Sequence, residues 1–155
     1  MLMLSGANLL SDGIFYLYIE NMQKTYQTSI ELKVRDYECD MQGIVNNAVY
    51  QNYLEHARHE YLIERGFNFA DIIRDGIHLV VIRAEIDYKK SLKAGQRFKI
   101  VSALERISKL KFCFHQTIST QELSADIHCV QAKILCASLT DQGKPRYYPA
   151  LETLF

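Results

Sequence analysis

The chain has 155 residues, 48% hydrophobic and 23% charged, with 18 basic residues balanced by 18 acidic ones. That length suits one packed domain, and the composition is not that of a disordered chain. Zero net charge excludes a protein that coats nucleic acid broadly, which needs a basic excess for phosphate, and it leaves little repulsion between copies.

No apolar run approaches the roughly 18–20 residues that cross a bilayer. The longest near the start is Ile14-Phe15-Tyr16-Leu17-Tyr18-Ile19. The first basic residue is Lys24, and Ser11-Asp12-Gly13 interrupts the apolar stretch, so a secretory signal is disfavoured. Residues 1–21 read as an extension before Met22, and 22–155 as a single domain.

Residues 25–36 alternate and are rich in β-formers, which predicts a strand. A loop over 36–45 follows. The strongest helical signal spans 47–65, where Tyr50, Tyr53, Leu54, Ala57, Tyr61 and Leu62 keep the 3.6-residue period. Asn46 or Asn47 suits the N-cap and Gly66 the left-handed position after the last turn. A shorter helix is expected over 69–75. The rest reads as four strands joined by short hairpin connections. In the first, His78, Val80, Ile82, Ala84, Ile86 and Tyr88 form one face; Phe98, Ile100 and Leu104, then Phe112, Phe114 and Ile118, continue the inner face. Turns are expected at Ala94-Gly95, Ser108-Lys109 and Gln121–Asp126, before a last strand ending near Leu139. Short hairpins imply an antiparallel meander, and one amphipathic helix must be covered by it. The expected fold is α+β, a curved antiparallel sheet wrapped around a central helix. Its unpaired edges make a homo-oligomer, dimer or tetramer, the expected state.

Cys39, Cys113, Cys129 and Cys136 form no C-x-x-C pair and no zinc-finger spacing, so buried free thiols in a reducing, cytoplasmic setting are expected. His56, His59 and Glu60 do not make the His-Glu-x-x-His pattern, and no metal is expected.

The stretch from Asp36 to Tyr50 puts three acids, Asp36, Glu38 and Asp40, in a loop feeding a helix N-terminus. That terminus has unsatisfied N–H groups and the positive end of the helix dipole, so it can stabilise an oxyanion. A carboxylate beside such donors is a minimal hydrolytic site. The plain alternative is that the acids only complement the dipole.

Asp40-x-x-Gly43-Ile44-Val45-x-x-x-x-Tyr50, followed by Tyr53-Leu54-Glu55-x-Ala57-Arg58, resembles the hotdog-fold acyl-CoA thioesterases of the 4-hydroxybenzoyl-CoA type over roughly residues 25–140. The resemblance implies a hotdog fold and hydrolysis of acyl-CoA without a cofactor. It assigns Asp40 as the catalytic carboxylate, the Asn47 backbone N–H as the group polarising the carbonyl, and the motif residues Gly43 and Tyr50 to the substrate site. Asp40-Met41-Gln42-Gly43-Ile44-Val45-Asn46-Asn47 also resembles the acyl-carrier-protein thioesterases, but Gln42 and Ile44 replace that branch's Asn and His. Ile44 cannot orient water, so an aspartate-only mechanism is what remains. Glu55 could hold water or orient the loop; otherwise it forms a surface pair with Arg58.

Between Arg83 and Lys111 lie nine basic and three acidic residues, so this segment carries +6 and the remainder −6. A cationic strip suits the phosphates of coenzyme A. By the same resemblance Arg106, Ser108, Lys109 and Lys111 lie near them. Single-stranded nucleic acid is not expected, because Phe98, Phe112 and Phe114 point inward. Two other readings stay open: a dehydratase, which would want a His in the loop, and an acyl-binding module without catalysis.

Overall fold

The computed structural model describes residues 26–122 and 125–155; the expected extension over 1–21 lies outside them. Strand β1 (Gln27–Lys33) is followed by a 3-10 turn (Asp36–Glu38), helix α1 (Asn47–Glu64) and the short helix α2 (Phe69–Arg74). Four strands come next: β2 (Ile77–Tyr88), β3 (Arg97–Arg106), β4 (Lys111–Glu122) and β5 (Ala125–Thr140). A closing 3-10 helix covers Pro149–Leu154. The five strands form one antiparallel sheet in the order β1-β3-β4-β5-β2.

Helix α1 forms where the periodicity placed it, and the six residues named from the sequence are its buried ones. The Asn46 side chain accepts the Ala48 N–H and closes its N-terminus. At the other end Gly66 adopts φ +81°, and Phe67 N–H bonds back to the Leu62 carbonyl, a left-handed cap open to few residues but glycine. The α1 stripe packs on the inner face of the sheet, where Phe98, Ile100, Leu104, Phe112, Phe114 and Ile118 are buried as expected.

Two expectations need correcting. The strands from β2 onward are not a simple meander: β2 pairs with β5, not β3, and lies at the opposite side of the sheet from β1. The connection between β2 and β3 is therefore a crossing segment. Leu92 within it is fully buried, with its N–H donated to the Tyr50 hydroxyl at 2.9 Å. The proposed face of β2 is also broken. Val81 pairs with Cys136 and Arg83 with Leu135, leaving Ile82 as an extra residue. A bulge of one residue flips alternation. Ile77, Leu79 and Val81 face the helix before it, and Ala84, Ile86 and Tyr88 after it, while His78 turns out to meet Asp141.

The tail is held rather than loose: Leu151 and Leu154 are buried, Arg65 donates to the Thr153 carbonyl, and Glu152 pairs with Arg106. Among the described residues no helix is long and apolar enough to cross a membrane.

Candidate active site

The loop before α1 folds back on itself as a small hairpin. Cys39 bridges Val45, Asp40 N–H donates to the Ile44 carbonyl at 2.9 Å, and Asn46 N–H donates to the Glu38 carbonyl at 3.0 Å. Gly43, at φ +76°, makes the reversal, donating to the Asp40 carbonyl at 3.0 Å. The crossing segment braces the loop from below, since Val45 N–H donates to the Leu92 carbonyl and Ile44 bridges Lys93.

Asp40 is exposed at the tip, and its Oδ1 accepts the Gln42 N–H at 2.8 Å, an Asx turn that fixes the carboxylate. At the helix terminus the Asn46 side chain takes the Ala48 N–H and its carbonyl the Val49 N–H. Among the described residues nothing accepts the Asn47 N–H. The Asn47 carbonyl receives the Tyr88 hydroxyl at 3.2 Å, which ties the end of β2 to the start of α1.

Beneath the loop, Glu38, grouped from the sequence with the other loop acids, turns inward to a partner on α1 that the sequence did not pair with it. Glu38 is 8% exposed, and its carboxylate accepts the Tyr53 hydroxyl at 2.5 Å, the Arg35 N–H at 2.7 Å and the Arg35 guanidinium at 3.1 Å. Burial pushes the Glu38 pKa up, but these donors outweigh it and hold it below its ordinary value. Burial, with the same contact, drives the Tyr53 hydroxyl pKa upward. The signal for this pair was a tyrosine on the buried helix face, whose hydroxyl must find a partner.

Tyr50 is buried, with its hydroxyl taken by Leu92 N–H and its ring packed edge-on against Tyr53 and Tyr88. Glu55 is largely exposed and stands 4.0 Å from His59; Arg58 turns inward to Gln116 instead of pairing with it. Glu55 nonetheless borders a groove of about 270 Å³ between α1 and β2, lined by Gln51, Leu54, Arg58, Val81, Ala84 and Ile86, with Ile134. A second cleft, of about 220 Å³ around His115 and His128, opens on the sheet face away from α1 and is remote from Asp40.

The basic hairpin sits far from the loop. Strand β3 begins beside the Asp40 loop, where Gln96 accepts from Val34, and runs ten residues to Arg106, about 30 Å at 3.3 Å per residue. Arg106 is engaged by Glu152 and stacks on Phe155, and Ser108 Oγ accepts the Leu110 and Lys111 N–H groups in the turn. Lys109 and Lys111 are exposed.

All four cysteines are free thiols; burial raises the pKa of Cys113, Cys129 and Cys136, the last to about 11, which makes them unreactive. Among the described residues no three His, Cys, Asp or Glu side chains gather as a metal site would require.

Residues 34–146 match the model of the thioesterase-like superfamily. A chloroplastic acyl-acyl carrier protein thioesterase of Arabidopsis thaliana is 43% identical over 121 residues, 78% of this chain and 63% of that protein. The chain thus spans less than two thirds of that relative. The long-chain acyl-CoA thioesterase FadM of Escherichia coli is 27% identical over 112 residues, 72% of this chain and 84% of that one. Among solved structures, a 4-hydroxybenzoyl-CoA thioesterase mutant in complex with 4-hydroxybenzoyl-CoA superposes with a TM-score of 0.77, covering 83% of this chain and 99% of its own, at 14% identity, a likeness of fold. With a five-stranded antiparallel sheet around one helix and a family match over most of its length, the chain belongs to the thioesterase-like superfamily and has the hotdog fold.

Proposed function

We propose that this chain hydrolyses acyl thioesters, adding water across the acyl–sulfur bond to give a free acid and a thiol. Asp40 acts as nucleophile or as the base that activates water, and the Asn47 N–H receives the oxyanion. The observation that carries this reading is the helix N-terminus. Its neighbouring donors are satisfied internally, whereas the Asn47 N–H faces no acceptor among the described residues. An oxyanion site requires such a donor, fixed in advance. The groove between α1 and β2 begins at Gln51, one turn along the helix from Asn47, and supplies apolar side chains for an acyl chain.

Acyl-CoA is the proposed substrate, and the Arabidopsis relative supports acyl-carrier-protein thioesters as the alternative. The chain works as a homo-oligomer in this reading. Edge strand β2 leaves Val81, Ile82 and Tyr88 nearly half exposed next to the groove, which a second copy would cover. A hairpin about 30 Å from the loop can serve the site only from another subunit, so phosphate binding by Lys109 and Lys111 depends on assembly. Four free thiols are what a reducing, cytoplasmic setting leaves.

Thiol release from acyl-CoA and acyl-carrier-protein substrates tests the reading. Asp40→Asn should lower kcat/KM by about 100-fold or more, on the scale of losing an acid–base group. Wild-type rates in that variant would remove Asp40 from the mechanism, and absence of turnover on every thioester would leave an acyl-binding module.

A further inference from the structure

The groove beside the helix terminus has a charged end. Asn47, Gln51, Leu54 and Arg58 follow each other at spacings of four, three and four residues, one stripe along α1. Opposite them Ile86, Ala84 and Val81 descend β2 in the same direction, so the groove runs from Gln51 to the Arg58 guanidinium, one turn along from the contact of Tyr88 with the Asn47 carbonyl. Its walls are mostly apolar, formed by Leu54, Ile86, Ala84, Val81 and Ile134, with Gln51 and Glu55 at the helix side.

Arg58 is held there. Its guanidinium donates to Gln116 Oε1 at 3.0 Å. Gln116 is fully buried, and its Nε2 donates to both the Leu54 carbonyl at 3.0 Å and Ser102 Oγ at 2.9 Å, which fixes the amide with its oxygen toward Arg58. Burial pulls the Arg58 pKa down, opposed in part by Cys136 and by the Glu55 carboxylate, which lies beyond ion-pairing distance. Methylenes pressed against this guanidinium would strip water from a charge whose hydrogen-bond partner, Gln116, is neutral, which is costly.

We propose that Arg58 ends the acyl groove and so sets the chain length the site accepts: unbranched fatty acyl groups about as long as the helix from Asn47 to Arg58, about 16 Å at 1.5 Å per residue. This rests on reading the site as a thioesterase. Chains up to that length gain from each buried methylene, and longer ones meet the charge.

The test measures kcat/KM for butyryl- through palmitoyl-CoA with wild type and Arg58→Met. In the wild type, kcat/KM should climb by about fourfold per methylene buried, reach its maximum near lauroyl or myristoyl, whose extended chains match that span, and fall at palmitoyl. In Arg58→Met the maximum should move to palmitoyl. An unchanged maximum in the variant, or a wild-type maximum at palmitoyl, overturns the proposal. Should Arg58→Met not fold, Arg58→Gln carries the same comparison. Displacement of a fluorescent acyl probe by free fatty acids of graded length reads the same cut-off without turnover. A length limit in binding with no hydrolysis would therefore sink the enzymatic reading alone, whereas hydrolysis with no length limit in binding would sink this one.

Discussion

The Glu38 carboxylate and the Tyr53 hydroxyl lie 2.5 Å apart in the interior, joining the loop that carries Asp40 to the buried face of α1. One residue, Cys39, separates Glu38 from Asp40, and the Glu38 carbonyl also accepts from Asn46, the residue that caps the helix. One residue thus connects, through its side chain and its backbone, both parts of the proposed site. Tyr53→Phe removes a donor and leaves a buried carboxylate short of a partner, which costs about 1–3 kcal/mol of stability. If the pair positions Asp40, that variant also lowers kcat while KM stays close to wild type. Urea unfolding and steady-state kinetics on the same preparation check both. A stability loss with unchanged kcat would make the contact structural only.

The pair also predicts how stability depends on pH. The folded-state pKa of Glu38 is lowered from 4.5, so the folded protein holds the carboxylate charged more strongly than the unfolded chain does. A depressed folded pKa contributes stability that is fully present above the unfolded value and is lost as pH falls through the folded one. Glu38→Gln has no such titration. The difference in unfolding free energy between wild type and Glu38→Gln should therefore hold steady above the ordinary carboxylate range and shrink below it. A difference that stays constant from about pH 7 to about pH 3 would show that Glu38 gains nothing from its charge in the fold.

How legible these features were follows from the range of the forces involved. Helix α1 was readable to within a residue because periodicity, an Asn cap and Gly66 are local and agree with one another. The inner faces of β3 and β4 were readable for the same reason. Partner choice was not, since β2 meets β5 rather than β3 and no local pattern encodes which distant strand a strand will join. The bulge at Ile82 escaped because an unbroken run of Leu79, Val80, Val81 and Ile82 offers apolar residues to either face. Asp40 and Asn47 stood out as motif positions. Glu38 and Gln116 did not, because a buried polar residue declares itself only when its partners, Tyr53 for one and Leu54, Ser102 and Arg58 for the other, come together in space.

The edge of the sheet gives a prediction about assembly. On β2, Val81, Ile82 and Tyr88 are 48%, 46% and 49% exposed, while the groove behind them is open on that side. An edge strand with exposed apolar side chains and a free backbone edge invites pairing with another copy, and natural proteins block such pairing by placing lysine on the edge. Ile82 is the apt position, because as the bulge residue it has no partner on β5 and its replacement breaks no ladder pair inside the chain. Ile82→Lys should leave the thermal unfolding of the single chain nearly unchanged and weaken association by about tenfold or more, the scale of losing one buried aliphatic side chain. Sedimentation velocity over a dilution series measures this directly. If the second copy closes the groove, thioesterase activity per chain should fall on dilution in parallel with the oligomer, and at higher concentration in Ile82→Lys than in wild type. A wild-type chain that sediments as a monomer at full activity would remove the partner from the site and leave the groove to work open.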